Sequence, residues 1–476
     1  MRAFSHPGAQ RRPSLAVAAL ALAFHAAVLA SPARGQQAKQ ESPQQAGQKI
    51  VDIEVVDNTK TTDATVILIA DVEKGDRFSP DLVERIRIDL VNSGLFKEVD
   101  ITWANTSGGV LLTISAKDKH SWVIAPTYYN QPTNQGGGAG FGENNLFGEN
   151  KKLLLYGQVA TGDTFFVGAY IDPSIKGTRF KWQVDAYLLR NRAIEYAAPT
   201  EFVTDPKEIR ISKLNYLNMG VTGGVKLFRN ASMDLRLRGA KVFYDDVALA
   251  EGATPEEVTG DPGTPADAIP EPGQEGYDVS AQLVLGYDWR ANWYGISHGD
   301  RYQVSVERAL TDLGSDFDYW HTRLYFERAR KYFSSHNLIV KSQLTYGRDL
   351  PFQQEFKSGG TDLRGYLNQQ LRGDFRVAVN AEYSMPLIGI KGVSLRVLGF
   401  LDTTYTAFLD IEDTDTFRSY LPDHGTLGLA PFKNTVGVGT RIFVRQIVLP
   451  LLGLDVGYGL ERGDFEIYLA IGLTDV

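Results

Sequence analysis

The chain contains no cysteine. That absence excludes a disulfide framework, a lipidated cysteine at a cleavage site and any thiolate metal centre. Beyond the N-terminal region there is also no uninterrupted apolar run near the roughly 20 residues that a membrane-spanning helix needs. Charge of one sign is scarce, since 49 Lys and Arg are set against 57 Asp and Glu for a net charge of -8. No basic cluster interleaves with aromatics, which argues against a nucleic-acid partner. A mature chain of this kind can enter a membrane only as a closed barrel, the other way to satisfy every backbone polar group in lipid.

What is present begins with an export signal. Arg2, Arg11 and Arg12 precede an uncharged run from Leu15 to Ala30, and Val28 to Ala30 or Ala33 to Gly35 offers small residues for a peptidase. That layout reads as a secretory signal over residues 1–35, outside the fold. Residues 36–48 form a Gln-rich polar tether. A compact block at 49–119 then reads strand, helix, helix, strand, strand. Ile50, Ile53, Val55 and Val56 suggest the first strand, and Thr61 to Ala70 a short helix. Ser79 caps a second helix with Pro80 in its first turn, Leu82, Val83, Ile86 and Leu90 on one face, and Gly94 as terminator. Strands follow at Phe96 to Trp103 and Val110 to Ala116.

From about residue 120 to 476 the texture changes to short alternating segments rich in Tyr, Phe and Gly, separated by turns. In the last of them Phe465, Ile467, Leu469, Ile471 and Leu473 point one way, and Glu466, Tyr468, Ala470 and Gly472 the other. One face suits lipid and the other a polar lumen. Such segments fall at 122–129, 136–142, 151–160, 165–172, 179–190, 213–228, 232–245, 278–289, 300–310, 319–330, 335–347, 375–386, 392–402, 434–444, 451–460 and 465–474. The fold class is therefore mainly β, a 16-stranded antiparallel transmembrane barrel preceded by one small α+β domain. An even count returns the C-terminus to the side of that domain. The connections assigned to the outside include long ones (191–212, 246–277, 348–374 and 403–433), whereas those assigned to the periplasm are mostly short. That is the asymmetry of bacterial barrels. The Pro- and Glu-rich stretch 246–277 reads as a mobile surface loop. A soluble all-β protein is the competing architecture, but no linker divides the chain after Ser121 into separate cores.

Signals for covalent chemistry are weak. Gly295 to Gly299 with Ser297 matches a nucleophile-elbow pattern by letter, yet it lies between two strands, where the chemistry requires a strand, a strained turn and a helix. No catalytic residue is assigned. The seven histidines lack two-ligand helical spacing, so no metal and no cofactor is assigned. Asp410, Glu412, Asp413 and Asp415 could attract divalent ions near lipopolysaccharide, but they read as a solvated acidic loop. Gly136 to Gly138 precedes no helix and does not suggest a phosphate cradle.

Several local patterns together resemble the BamA/TamA superfamily of outer-membrane assembly and translocation proteins, in which a POTRA domain precedes a bacterial surface antigen barrel. Ser93 to Val99 looks like the helix-to-strand corner of a POTRA repeat. Gly140 to Gly148 is similar to the glycine-rich second strand and turn, and Asp288, Arg290, Asn292 and Gly299 match a strand-to-turn pattern. The most specific piece is Leu363, Arg364, Gly365 and Tyr366, in the loop before the twelfth strand. The resemblance places this motif at the tip of a loop folded back into the lumen. A buried arginine needs acidic partners, and strand parity turns Glu382 and Asp402 inward. By resemblance, Arg364 pairs with Glu382 and Asp402. Two departures are that the chain ends without a terminal aromatic and that a single POTRA-like block is present.

The resemblance implies a protein that assists insertion or translocation of proteins at the outer membrane, with its N-terminal domain in the periplasm. Its partners would be outer-membrane lipid and lipopolysaccharide, unfolded clients taken up by the POTRA-like domain, and accessory proteins. Two competing readings are a permanently closed passive channel or surface antigen, and an outer-membrane hydrolase acting through Ser297.

Overall fold

The computed structural model describes residues 47–197, 206–259, 261, 263–265, 267, 269–293, 295–390, 392–409, 432–444 and 450–472. The export signal, most of the tether, the acidic stretch Asp410 to Asp415 and the chain end at 473–476 lie outside the described residues.

The N-terminal block contains β1 (Ile50–Val56), α1 (Asp63–Ala70), α2 (Pro80–Asn92), β2 (Phe96–Thr106) and β3 (Gly109–Asp118). Its sheet runs β1-β3-β2, with β1 parallel and β2 antiparallel to the central β3. Thr62 and Ser79 cap the two helices, their hydroxyls accepting from Thr65 N and Leu82 N, which satisfies donors that a helix start leaves open. Val66, Phe78, Ile86, Leu90, Leu112 and Ile114 are fully or almost fully buried between helices and sheet.

The barrel follows. Its long strands are β4 (Trp122–Gln131), β5 (Asn134–Leu146), β6 (Lys151–Ala160), β7 (Asp163–Asp172), β8 (Phe180–Tyr196), β9 (Glu208–Phe228), β10 (Ala231–Leu249) and β11 (Gly276–Asp288). After the three-residue arm β12 (Ala291–Trp293) come β13 (Ile296–Ala309), β14 (Trp320–Tyr332) and β15 (His336–Arg348). A lumen hairpin of β16 (Phe356–Ser358) and β17 (Leu371–Gly373) precedes β18 (Phe375–Ile390), β19 (Val393–Ala407), β20 (Lys433–Val444), β21 (Leu452–Gly459) and β22 (Asp464–Ile471). Sixteen long antiparallel strands close by pairing β22 with β4. Outward positions such as Met219, Val221, Leu237, Val304, Phe465 and Ile467 stay exposed and form the apolar belt, while inward positions carry charge, including Arg238, Asp278 and Glu307. This is the period-two pattern of a lipid-facing barrel.

The register departs from the sequence reading at the rim that carries the long loops. β8, β9 and β10 run on to Tyr196, from Glu208 and to Leu249, and their ladder reaches Arg210 opposite Leu249. Beyond the apolar belt the extended ladder mixes polar Arg192, Lys213 and Asp246 with buried Tyr196 and Ile209, so a rule of lipid-facing alternation stops these strands early. The described part of 250–275 holds a short helix α3 (Pro255–Thr259) and is tied to the wall. Pro270 O accepts from Arg210 Nη1 at 2.6 Å, and Glu275 Oε1 accepts from Tyr244 N at 2.7 Å.

The N-terminal block docks against the opposite rim, where the short turns lie. Lys60 Nζ reaches Ser121 Oγ at 2.6 Å and Glu143 at 3.1 Å, Thr62 N donates to Gly148 O at 3.0 Å, and Arg229 pairs with Asp89 at 2.8 Å. Gly148 sits at φ +73°, and a Cβ there would lie 2.1 Å from Lys60 O, so this contact requires glycine. Asp118 organises the junction by accepting from the amides of Thr59 and Lys60 at 2.6 Å each. Partial burial works against its ionisation, but these amides and the Thr61 hydroxyl outweigh it and hold the carboxyl below its ordinary value.

Candidate functional site

The connection between β15 and β18 turns back into the lumen. The β16–β17 hairpin carries its tip, 359–370, inward, and Gly359, Gly360 and Gly365 take φ values of +117°, +72° and +101°. Leu363, Tyr366 and Leu371 bury against one another, each at most 2% exposed. Arg364, also 2% exposed, sits beneath them.

Burying a guanidinium costs several kcal/mol of lost hydration unless its donors find acceptors. Here they do. Nε and Nη2 donate to the two oxygens of Asp402 at 2.8 Å each, and Nη1 donates to Glu382 at 2.7 Å and to Asp455 at 2.9 Å. The Phe400 ring lies 3.4 Å away, centroid to Cζ, and covers one face of the cation. Asp402 is further held by Asn380 at 3.0 Å, and Asp455 is shared with Arg441. The two acids named from sequence thus meet Arg364 in space, on β18 and β19. The third, Asp455 on β21, went unnamed, although Leu454 faces out and the same parity turns Asp455 inward.

The rest of the tip is tied to the last strands. Gly365 N donates to Tyr468 Oη at 2.9 Å, Tyr468 Oη donates to Tyr366 O at 3.1 Å, and Tyr366 Oη donates to Glu461 at 2.6 Å. Backbone approaches backbone here: a Cβ on Gly365 would lie 2.7 Å from Gly459 N, and one on Gly457 would lie 2.8 Å from the carbonyl carbon of Arg364. Higher in the loop, Arg372 bridges Glu195 and Glu355 with its guanidinium 3.9 Å from the Phe352 ring. Sequence reasoning missed this second buried cluster because Glu195 lies 177 residues away in the chain.

Next to this anchored region lies the barrel wall's shortest ladder among the described residues, which stop at Gly472 on this side. β22 meets β4 through three residue pairs, Leu469 with Asn130, Ala470 with Tyr129 and Ile471 with Tyr128. Its other edge pairs with β21 over eight positions, and β4 pairs with β5 over ten. β4 also carries Pro126, which lacks a donor and is tolerated chiefly on edge strands. The loop reaches across to this strand through Asn368 Nδ2 and Gln131 Oε1 at 3.2 Å.

The remaining motifs behave structurally. Ser297 lies in the β12–β13 hairpin, its amide donating to Asn337 Oδ1 at 2.9 Å and its carbonyl accepting from Asn337 Nδ2 at 2.7 Å, and no helix follows it. Arg290 grips Asp288 and Glu327, and Gly299 at φ +125° packs 2.7 Å from Arg290 Cα, measured from the position a Cβ would take. Gly136 and Gly138 lie flat against the β6 backbone in strand β5.

A sixteen-stranded barrel with lipid-facing belt, arginine-pinned lumen loop and short closing seam defines an outer-membrane protein of the assembly and translocation class. The chain belongs to the Omp85 superfamily, whose domain model matches residues 145–461. Barrels of this superfamily mediate insertion or translocation of proteins at the outer membrane, without enzymatic activity, and work with client and accessory proteins. No curated protein sequence matches the chain. Among solved structures, BamA from Haemophilus ducreyi lacking POTRA domains 1–3 is similar at 17% identity and a TM-score of 0.56, over 89% of this chain and 84% of that one. CdiB from Acinetobacter baumannii aligns at 13% identity and 0.58, over 90% and 74%, and CdiB from Escherichia coli at 11% and 0.57, over 90% and 77%. At these identities the likeness is one of fold.

Proposed function

We propose that this barrel inserts or translocates client proteins by opening its β22–β4 seam, with the N-terminal block in the periplasm as the receiving domain. The carrying observation is that, among the described residues, the seam has three pairs beside ladders of eight and ten. Backbone groups left unpaired in lipid are costly, and a client strand that pairs them lowers that cost. In the receiving block, residues 47–50 up to the start of β1 pair with 75–78, whereas β2 keeps a long outer edge on which an extended segment can add.

In this reading Leu363, Arg364, Gly365 and Tyr366, with Glu382 and Asp402, form the fixed side of the gate. They hold β18, β19, β21 and β22 as one body, so that movement concentrates at the seam. No covalent chemistry and no cofactor enter. The filled lumen also suits a barrel that is closed at rest, which is the specific observation in favour of a passive surface antigen.

The chain's lack of cysteine makes the test clean. Tyr128→Cys with Ile471→Cys, opposed in register, should form a disulfide that locks the seam, abolishes complementation in a depleted host and releases on reduction. Depletion should lower other outer-membrane barrels or one secreted protein. Full activity of the locked barrel, or an unchanged outer-membrane and secreted proteome, would overturn the proposal.

A further inference from the structure

The connection between β11 and β13 leaves the wall, unlike the tight turns at 229–230 and 333–335 on the same rim. β13 joins β14 only from Gly299 onward and β11 only from Arg301. Before that point, residues 289–298 form an arm whose backbone pairs with itself, Ala291 with His298, Asn292 with Ser297 and Trp293 with Ile296. Gly299, at φ +125°, turns the arm off the wall, and Gly295, at φ +72°, reverses it at the tip.

The tip rests on Phe443 of β20. A Cβ on Gly295 would lie 2.5 Å from that ring, so the ring packs directly on the glycine backbone. Arg441 meets Asp455 in the lumen, and Phe443, two residues on, shares its face. Round the wall, β14, β15, β18 and β19 separate β13 from β20, a path of roughly 24 Å at about 4.8 Å per strand. The limb from Trp289 to Trp293 is roughly 16 Å long at about 3.3 Å per residue. It is too short to follow the wall and crosses the opening as a chord. On the way, Asn337, fully buried on the lumen side of β15, holds the Ser297 backbone at both its amide and its carbonyl.

The strands that this chord cuts off also enclose a cavity of about 260 Å³, lined by Ile339, Lys341, Asp362, Arg364, Asn380 and Glu382. Asp362 and Arg364 belong to the loop tip, which roofs it. Ile339 stands two residues along β15 from Asn337, so the arm lies at its floor. We infer that the arm, 289–298, is a seal at the periplasmic end of the lumen, shutting it from the side opposite the arginine-pinned loop. Phe443 and Asn337 are the positioning residues that keep it across the opening. The seal goes beyond the insertion reading and does not depend on it. A barrel that passes clients through its wall and one that passes none both hold back solutes only if the lumen is shut.

The test places one cysteine in the full-length chain, Ile339→Cys, which faces the cavity opposite Glu382. It is labelled with a small maleimide and with a maleimide on a polyethylene glycol chain, in intact cells and in cells whose outer membrane is permeabilised to both reagents. The native arm is compared with Phe443→Ala and with a chain in which 291–298 is replaced by a short glycine turn. Heat-modifiable mobility on gels verifies that each is folded, and Glu251→Cys, exposed on the long-loop side, reports any general change in reactivity. The native arm should exclude the polymer reagent in both settings. Shortening the arm should admit it and speed the small reagent several-fold in permeabilised cells alone, and Phe443→Ala should give a smaller gain of the same kind. Unchanged labelling of the folded shortened-arm protein, an equal gain in intact cells, or polymer labelling past the native arm overturns the seal. If the shortened chain does not fold, Phe443→Ala decides, and native labelling rates in that variant overturn it.

Discussion

The two edges of β22 belong to the same eight residues yet face opposite fates. Toward β21 every residue is paired, and behind that ladder stands Arg364 with three carboxylates drawn from β18, β19 and β21. Toward β4, among the described residues, only Leu469 to Ile471 are paired and no buried ion network backs them. A closed barrel gains most of its strength from uninterrupted pairing. The contrast teaches that strength has been placed on one edge and withheld from the other, so that a single strand serves as both post and door.

The largest way to break this comparison is Arg364→Ala. It leaves the fully buried Asp402 without its arginine, takes from Asp455 one of its two arginines and removes the partner of Glu382, and uncompensated buried charge of this kind costs about 3–5 kcal/mol. Loss of heat-modifiable mobility and protease cleavage within 349–374 should result, whereas Arg364→Lys, which cannot make the bidentate pair, should fall between. Next in size is Gly365→Ala. At φ +101° and 2.7 Å from Gly459 N, an added methyl forces the tip off the last strands at a cost of about 1–3 kcal/mol. A urea midpoint equal to that of the native chain would show that the tip is not held as described.

Hydrogen exchange sharpens the contrast without any mutation. Amides of Leu469 to Ile471 that point toward β4 should exchange faster than those that point toward β21, because local opening follows the shorter ladder. Uniform protection along both edges would count against a hinged seam.

The smallest expected effect lies at the junction below. Asp118 is held below its ordinary pKa, so it favours the docked block at pH above the carboxylate's unfolded value of 3.8, and that contribution fades as pH falls through the lower folded value. The yield of a crosslink between cysteines placed at Asp89 and Arg229, whose side chains meet at 2.8 Å, should fall in that acid range. Asp118→Asn should remove the pH dependence while leaving the barrel's mobility unchanged.

Strand number and order were readable because lipid on one side and a polar lumen on the other impose alternation at every crossing. The inward turn of Glu382 and Asp402 follows from the same parity. What alternation could not reveal lies where that two-solvent constraint ends. β8 to β10 continue above the lipid with polar and buried apolar residues mixed, such as Arg192 beside Tyr196 and Ile209, and the β12 arm crosses toward Phe443, whose ring would lie 2.5 Å from a Cβ on Gly295. The pairing of Arg372 with Glu195 depends on which strand faces which loop across the lumen, a distance that no local window contains. The bulge at Leu387 was hidden as well, because one extra residue in a run of six apolar ones leaves no mark on composition.

The Arg364 cluster also sets an order of events during biogenesis. Its acids lie 18, 38 and 91 residues further along the chain, and the tyrosine that receives Gly365 lies 103 residues away. A nascent or truncated chain that stops before β21 therefore holds an arginine short of a counter-charge and a tip with nothing to rest on. Loop docking cannot be an early step. It comes after the last strands have arrived, so the packed lumen acts as a check that the whole polypeptide has been delivered before the barrel becomes rigid.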